Sequence, residues 1–276
     1  MYISRHTIDK QGITGPYQVN LGLKERRMAD LDTNISMLRN LWRYCLDLFF
    51  QSAVLIDDKQ KTLSYLELYV EAAAATYTMA THIGTNVSVS FMGKTQELVP
   101  PEKDYKVSPA GWIFAWFAAI LRRNKGAIDA LHAVDLEKIR QLDKTKGYEY
   151  TFLYARFLQQ LFEKGVDHGA NLSKASEESM KVPENSLVYD YMLDIAGPQM
   201  DLLIYVLYKD EKKFNERLLK ALESFKRYYE NLGKAGETDP YGLISLPLSA
   251  IVLMAKDQGI AIHHTSDYIP DYLINA

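Results

Sequence analysis

Apolar residues recur along most of the chain with helical spacing, and they are densest between Ser108 and Arg123. The large apolar side chains of this stretch are Trp112, Ile113, Trp116, Phe117, Ile120 and Leu121. A helix that is apolar nearly all round is one that other elements surround. Ser108 is a favoured N-cap residue, and Pro109 suits the first helical position, where its missing N–H is no loss. The pattern therefore predicts a buried central helix.

The same periodicity predicts further helices on both sides of the central one. A helix begins near Asp32 and carries Cys45 on its apolar face, and the others cover residues 62–82, 136–142, 148–164, 187–196, 200–208, 214–229 and 241–256. Gly197-Pro198 is expected to break the chain between two of these helices. Residues 165–183 are polar and contain two glycines and a proline, which predicts a long connection or a mobile loop.

Residues 86–98 depart from helical spacing. Val87, Val89 and Phe91 alternate with Ser88 and Ser90, and Gly93-Lys94 is a candidate turn. This pattern predicts a short β-hairpin or an irregular loop. Inside a helical protein, such an insertion serves either as a binding element or as a cover over one end of the core.

The predicted fold is all-α: an irregular array of stacked antiparallel helical hairpins with one short β-hairpin or loop insertion. Residues 112–132 and 201–223 share a plan of apolar helix, charged turn and second helix, but no strict repeat period is present. Residues 1–27 contain Gly12, Gly15-Pro16 and Gly22, and we expect an extended arm there, followed by a single domain over 28–276. The side chains expected to be most deeply buried are Trp112, Trp116, Phe117, Leu203 and Leu218.

Composition narrows the classes of function. The chain has 276 residues, 47% of them hydrophobic, and a net charge of −3, which gives no general affinity for nucleic acid or for an anionic membrane. No apolar segment predicts a signal sequence or a membrane span. The single cysteine, Cys45, excludes an intrachain disulfide and favours a cytoplasmic protein. The 19 tyrosines suit the edge of a core or a protein interface.

Candidate chemistry is sparse. The sequence has no His-Glu-x-x-His, P-loop, G-x-G-x-x-G or paired-cysteine motif. His263-His264 is the only histidine cluster, and adjacent side chains point apart, so the pair would need other ligands to hold a metal. Asp190, Asp194 and Asp201 form a possible carboxylate cluster for Mg²⁺, although no second acidic pair accompanies them. We therefore predict no catalytic residue, cofactor or metal.

A second interpretation of the same carboxylates is recognition of a partner. Asp190 and Asp194 are four residues apart on one predicted helix, with Tyr189 and Tyr205 as candidate aromatic anchors. Carboxylates steer association with a basic surface, and buried tyrosines supply contact energy. Simple solvation of both aspartates is the alternative, since acidic residues are common on exposed helix faces.

Several segments together resemble the bacterial immunity protein 49 family. They are the central helix ending in arginine, Ala127–Leu131, the charged run from Asp210 to Glu223, and the ending Ser266–Leu273. The resemblance extends from Ile35 to Leu273 and leaves the N-terminal arm outside. It implies a largely helical cytoplasmic protein that protects a bacterium from a cognate polymorphic toxin. It carries over no catalytic residue.

These observations lead to one principal expectation and two alternatives. The first is a non-enzymatic immunity protein that occludes the active site of a toxin domain, with Asp190, Asp194, Tyr189 and Tyr205 in the interface. The second is a helical metal-dependent hydrolase that uses Asp190, Asp194 and Asp201. The third is a helical scaffold that binds a non-toxin peptide in a groove between hairpins. The sequence carries no signal for the oligomeric state.

Overall fold

The computed structural model describes residues 1–31, 35–102, 104–184 and 186–275, and the predicted helix start near Asp32 lies outside them. Within the described residues the chain is mainly helical, with two two-stranded sheets. In chain order the elements are β1 (Tyr2–Ile3), α1 (Lys10–Asp30), α2 (Leu38–Leu55), α3 (Lys59–Thr81), β2 (Val87–Phe91), β3 (Lys94–Leu98), α4 (Pro109–Leu121), α5 (Lys125–His132), α6 (Leu136–Leu142), α7 (Glu149–Gln160), α8 (His168–Ser179), α9 (Leu187–Tyr191), a π-helix (Met192–Ala196), α10 (Gly197–Tyr208), α11 (Glu211–Asn231), α12 (Lys234–Thr238), α13 (Leu246–Asp257), β4 (Thr265–Ser266) and α14 (Asp271–Ile274). Short 3₁₀ turns cover Ile35–Met37 and Pro240–Gly242. The predicted all-α class is confirmed.

The chain divides into two compact units. One contains residues 13–147, and the other contains residues 1–12 together with 148–276. Consecutive helices pair within each unit: α2 with α3 and α4 with α5 in the first, and α7 with α8 and α10 with α11 in the second. Because the connections between these partners are short, each pair is a helical hairpin. A single domain over 28–276 stays a prediction.

The central helix of the 13–147 unit is α4, and its predicted start is confirmed. The Ser108 hydroxyl accepts a hydrogen bond from the Gly111 N–H, and Pro109 is the first helical residue. Trp112, Trp116 and Phe117 are each at most 1% exposed, as predicted. The Trp112 indole also donates to the Leu131 carbonyl of α5 at 3.1 Å, which satisfies its buried N–H.

The extended state predicted for residues 1–27 is wrong over most of that range, because α1 begins at Lys10. Asp9 accepts a hydrogen bond from the Gly12 N–H at 3.0 Å, and Ile13 and Tyr17 are buried. Tertiary burial thus outweighs the low helix propensity of glycine and proline, including Pro16 inside the helix.

The long connection predicted for residues 165–183 is also wrong, because α8 occupies its middle. The Asp167 carboxylate caps the helix by accepting from the Ala170 N–H at 2.9 Å. Only Leu172, Ala175 and Ser179 are buried, a narrow stripe of mostly small side chains. The flanking Gly165 and Pro183 mark the ends of the helix rather than a continuous loop.

The predicted hairpin is confirmed, and the irregular-loop alternative is excluded. β2 and β3 pair antiparallel with Val87 opposite Leu98 and Phe91 opposite Lys94. Met92 and Gly93 between them both have positive φ, as a type I′ turn requires. The Met92 N–H donates to a Glu71 carboxylate oxygen at 2.6 Å, and Val89 is buried, so one face of the hairpin covers α3.

In the unit that contains residues 1–12 and 148–276, the first strand of the chain pairs with a strand near its C-terminus. β1 pairs in parallel with β4, so that Tyr2 lies opposite Thr265 and Ile3 opposite Ser266. The apolar interior contains Leu203 and Leu218, both 0% exposed as predicted, together with most of α13. Among the described residues, the helices are all too short or too polar to cross a bilayer.

Candidate functional site

The helix that carries the predicted partner-binding residues begins as expected but does not end at Gly197-Pro198. The Ser186 hydroxyl caps α9 by accepting from the Tyr189 N–H at 3.1 Å. A π turn follows, in which the Gly197 N–H donates to the Met192 carbonyl, and α10 continues directly from it. Proline inside an α-helix clashes with the carbonyl four residues earlier, and the wider π turn relieves that clash. The predicted helix break is therefore wrong.

Asp190 and Asp194 are in different environments. Asp190 is exposed, whereas the Asp194 side chain is only 15% exposed and is bound by the Arg227 guanidinium of α11. The Asp194 charge is consequently neutralised within the protein. Asp190 is the carboxylate of this pair that stays available to a partner.

The two candidate aromatic anchors are half-buried and far apart. Tyr189 lies in α9, and Tyr205 lies near the end of α10, where Lys213 Nζ is 5.9 Å from its ring centroid. Continuous helix separates the two tyrosines by about 24 Å along its axis, at about 1.5 Å per residue. The structure therefore does not bring Tyr189 and Tyr205 to one point, and a partner would have to contact much of the helix to reach both.

A third carboxylate joins Asp190 and Asp194 around Tyr228 of α11. Burial, together with the charges of Asp239, Asp190 and Asp194, raises the pKa of the Tyr228 hydroxyl. Burial also raises the pKa of Asp239, whose carboxylate accepts from the Tyr241 N–H at 2.9 Å. Sequence reasoning missed Asp239 because it precedes a 3₁₀ turn far along the chain and has no periodic signal.

Asp201 does not complete a metal site with the other two aspartates. Its carboxylate lies 3.3 Å from the Arg217 Nε of α11, and burial raises its pKa. Across the described part of the chain, no three His, Cys, Asp or Glu side chains are grouped so that they could hold a metal ion. The metal-dependent hydrolase alternative therefore has no site at Asp190, Asp194 and Asp201.

A groove of about 870 Å³ lies between α8 and α10. Its apolar lining comes from Leu172 on α8 and from Met200, Ile204 and Leu207 on α10. Glu177 and Asp201 are the acidic residues that line it. The segment that contributes α8 was expected to lack regular structure, so no sequence pattern indicated this groove.

Comparison with protein families gives one match. The sequence model described as Immunity protein 49 matches residues 56–273, which is most of the chain. The chain belongs to the Immunity protein 49 family. No curated protein and no solved structure matches it.

The Immunity protein 49 match includes both acidic residues of the groove, the hairpin and the segment 263–273, and it leaves residues 1–55 outside. His6 in the unmatched part is 5% exposed, and its ring nitrogens contact the Tyr268 hydroxyl at 2.8 Å and the Gly236 carbonyl at 3.1 Å. The N-terminal residues of this family member therefore complete the packing of a segment inside the family match.

Proposed function

We propose that this immunity protein binds a cognate toxin domain and neutralises it by occluding the toxin's active site, without catalysing a reaction itself. The observation that carries the proposal is the family match over residues 56–273. The commitment of Asp194 and Asp201 to arginines on α11 adds support, since these carboxylates serve the fold rather than a metal.

The proposed partner is a protein, and the proposal includes no metal, no cofactor and no direct contact with nucleic acid. We place the protein in the cytoplasm. The only cysteine, Cys45, is buried and free, which suits a reducing compartment.

We further propose that Asp190, Asp194, Tyr189 and Tyr205 lie at or near the toxin interface. A toxin that acts on nucleic acid needs a basic surface to hold phosphate, and carboxylates placed there compete with the substrate. Asp190 is the exposed carboxylate of this set, while Asp194 would first have to leave Arg227. Asp190 is accordingly assigned the larger part of any charge steering.

The scaffold alternative is favoured by one observation, the groove between α8 and α10. A groove between two helices is a common site for a peptide or a helix of another protein. The two functions differ in what occupies the surface: a toxin domain in the first, and a peptide unrelated to any toxin in the second.

Co-expression tests the proposed function. The toxin domain encoded beside this protein is expressed in a sensitive bacterium with the immunity protein, with an empty vector, or with an immunity protein from an unrelated family. Growth restored by this protein alone supports the proposal. Growth arrest despite a confirmed supply of folded immunity protein would remove the toxin-neutralising function.

A further inference from the structure

The groove between α8 and α10 has an apolar floor and an open apolar edge. Leu172 and Met200 are buried in the floor, at 3% and 4% exposure. Leu207 and Tyr208 at the end of α10 are 37% and 75% exposed. Large apolar side chains beside an open cleft are typical of a protein-binding surface.

The α8 side of the groove lets the backbone of a bound partner come close to the helix. It presents Gly169, Ser173 and Ser176 to the groove, and on the opposite side Gly197 follows the π turn. Small residues let a neighbouring backbone come near, and a π turn inside a helix is often found at a functional site. The groove therefore has the shape of a slot between two helices rather than of a closed pocket.

The Asp, Glu, Lys and Arg side chains that line the described groove are acidic, and His168 lines it as well. Among the described residues that line it there is no Lys or Arg, whereas Glu177 is exposed and Asp201 is half-buried. Asp201 is paired with Arg217 at 3.3 Å, which lies outside the lining. Because Arg217 compensates the charge of Asp201, Glu177 is the exposed lining carboxylate that an incoming cation would meet.

We propose that the toxin docks in the α8–α10 groove through an amphipathic helix, whose apolar face covers Ile204, Leu207 and Tyr208 and whose Lys or Arg side chains face Glu177. A helix is the occupant that fits, because two helices form the walls and an apolar stripe flanked by charge matches their lining. The inference rests on the proposed function and adds the α8–α10 groove to the toxin interface proposed around Asp190.

Binding measurements on the full chain test this surface. Immobilised toxin domain, inactivated in its own active site, is titrated with wild-type protein and with L207K and E177K, which place cations in the groove. V19K and E216K are the matched controls, since Val19 is 61% exposed, Glu216 is exposed, and neither lines the groove. L193K is a separate probe of the face that carries Asp190 and Asp194. We expect each groove variant to weaken binding by about 10- to 100-fold and each control by less than about threefold.

The outcomes separate the two levels of the proposal. Full affinity for L207K and E177K would overturn the groove and leave toxin neutralisation standing. Loss of affinity in L193K but not in L207K would move the interface toward the face that carries Asp190 and Asp194. Failure of the wild-type protein to bind the toxin domain at all would remove both proposals.

Photo-crosslinking tests the occupant without relying on a destabilised variant. Tyr208 is replaced by a benzoylphenylalanine residue, with Tyr2, which is 58% exposed and outside the groove, as the control position. The proposal predicts that Tyr208 crosslinks to one toxin peptide that is helical, amphipathic and rich in Lys or Arg. Crosslinks from Tyr208 to an acidic segment, to a second copy of this chain or to no toxin peptide would contradict it.

Discussion

The Tyr268 hydroxyl lies 2.8 Å from both the backbone nitrogen and the Nδ1 atom of His6. The hydroxyl accepts from the His6 backbone N–H, so its own proton is directed to Nδ1, and Nε2–H donates to the Gly236 carbonyl. This arrangement gives both ring nitrogens of a neutral imidazole a hydrogen-bond partner. A protonated ring would present Nδ1–H as a second donor to the hydroxyl, which would have to turn its own proton away from the ring, so protonation weakens the contact between the two ends of the chain.

The state of His6 predicts an acid-sensitive stability. Burial is the main cause that lowers the pKa of His6, while Arg5 and Lys226 lower it further and the Gly236 carbonyl and Glu230 oppose the change. The neutral form is favoured in the folded state. The contribution of neutral His6 to the stability of the folded protein is therefore complete above the unfolded-state pKa of about 6.5. This contribution is lost as the pH falls from there through the lowered folded-state pKa.

Thermal unfolding of the wild-type protein and of His6→Gln measures this effect. We expect the melting temperature of the wild type to fall more steeply than that of the variant between about pH 7 and pH 5. His132→Gln is the matched control, because the His132 side chain is exposed and does not contact Tyr268 through a described hydrogen bond. Parallel pH profiles for wild type and His6→Gln would disprove the role of His6.

Trp116 is predicted to be a major contributor to the stability of the 13–147 unit. Its ring is 1% exposed and meets Phe117 edge-to-face at a centroid distance of 5.3 Å. Trp116→Ala should cost about 3–5 kcal/mol in free energy of unfolding, measured by chemical denaturation. Met92→Ala, at a position 53% exposed, should stay within about 0.5 kcal/mol of wild type. Equal effects of the two substitutions would refute the burial.

Asp190 and Asp194 should behave differently although they are four residues apart. Asp194→Ala removes the partner of Arg227 and should cost about 0.5–1 kcal/mol in stability, because Arg227 is 55% exposed, whereas Asp190→Ala should be near neutral. A double-mutant cycle with Arg227→Ala isolates the coupling. Additive effects of Asp194→Ala and Arg227→Ala would show that the ion pair contributes nothing measurable.

Cys45 should be inert in the folded protein. The side chain is 0% exposed, and burial raises the pKa of its thiol to about 12, so the reactive thiolate is scarce at neutral pH. An aromatic disulfide reagent at neutral pH should react in denaturant and not in buffer. Rapid stoichiometric labelling of the native protein would contradict this placement.

Local sequence signals predicted the elements whose causes are local. Ser108 and Pro109 start α4, and the alternation from Val87 to Phe91 with Gly93 produces the hairpin, so both could be located from neighbouring residues alone. The burial of Trp112 and Leu203 followed from the same apolar periodicity.

The features that could not be predicted depend on partners distant in sequence. α1 contains Gly12, Gly15, Pro16 and Gly22, and burial of Ile13 and Tyr17 stabilises it nonetheless. The ion pair of Asp194 with Arg227 links residues 33 positions apart, and no periodicity signals it. The groove required α8, whose buried stripe of small side chains lacks the apolar contrast on which helix prediction relies.

A titration of toxin activity tests whether this chain inhibits a toxin by direct binding. The purified toxin domain encoded beside this protein is assayed on its own substrate with increasing amounts of the immunity protein. We predict that activity falls in proportion to added protein and reaches zero near equimolar amounts, with L207K requiring a large excess. Undiminished toxin activity in the presence of excess folded wild-type protein would contradict the account.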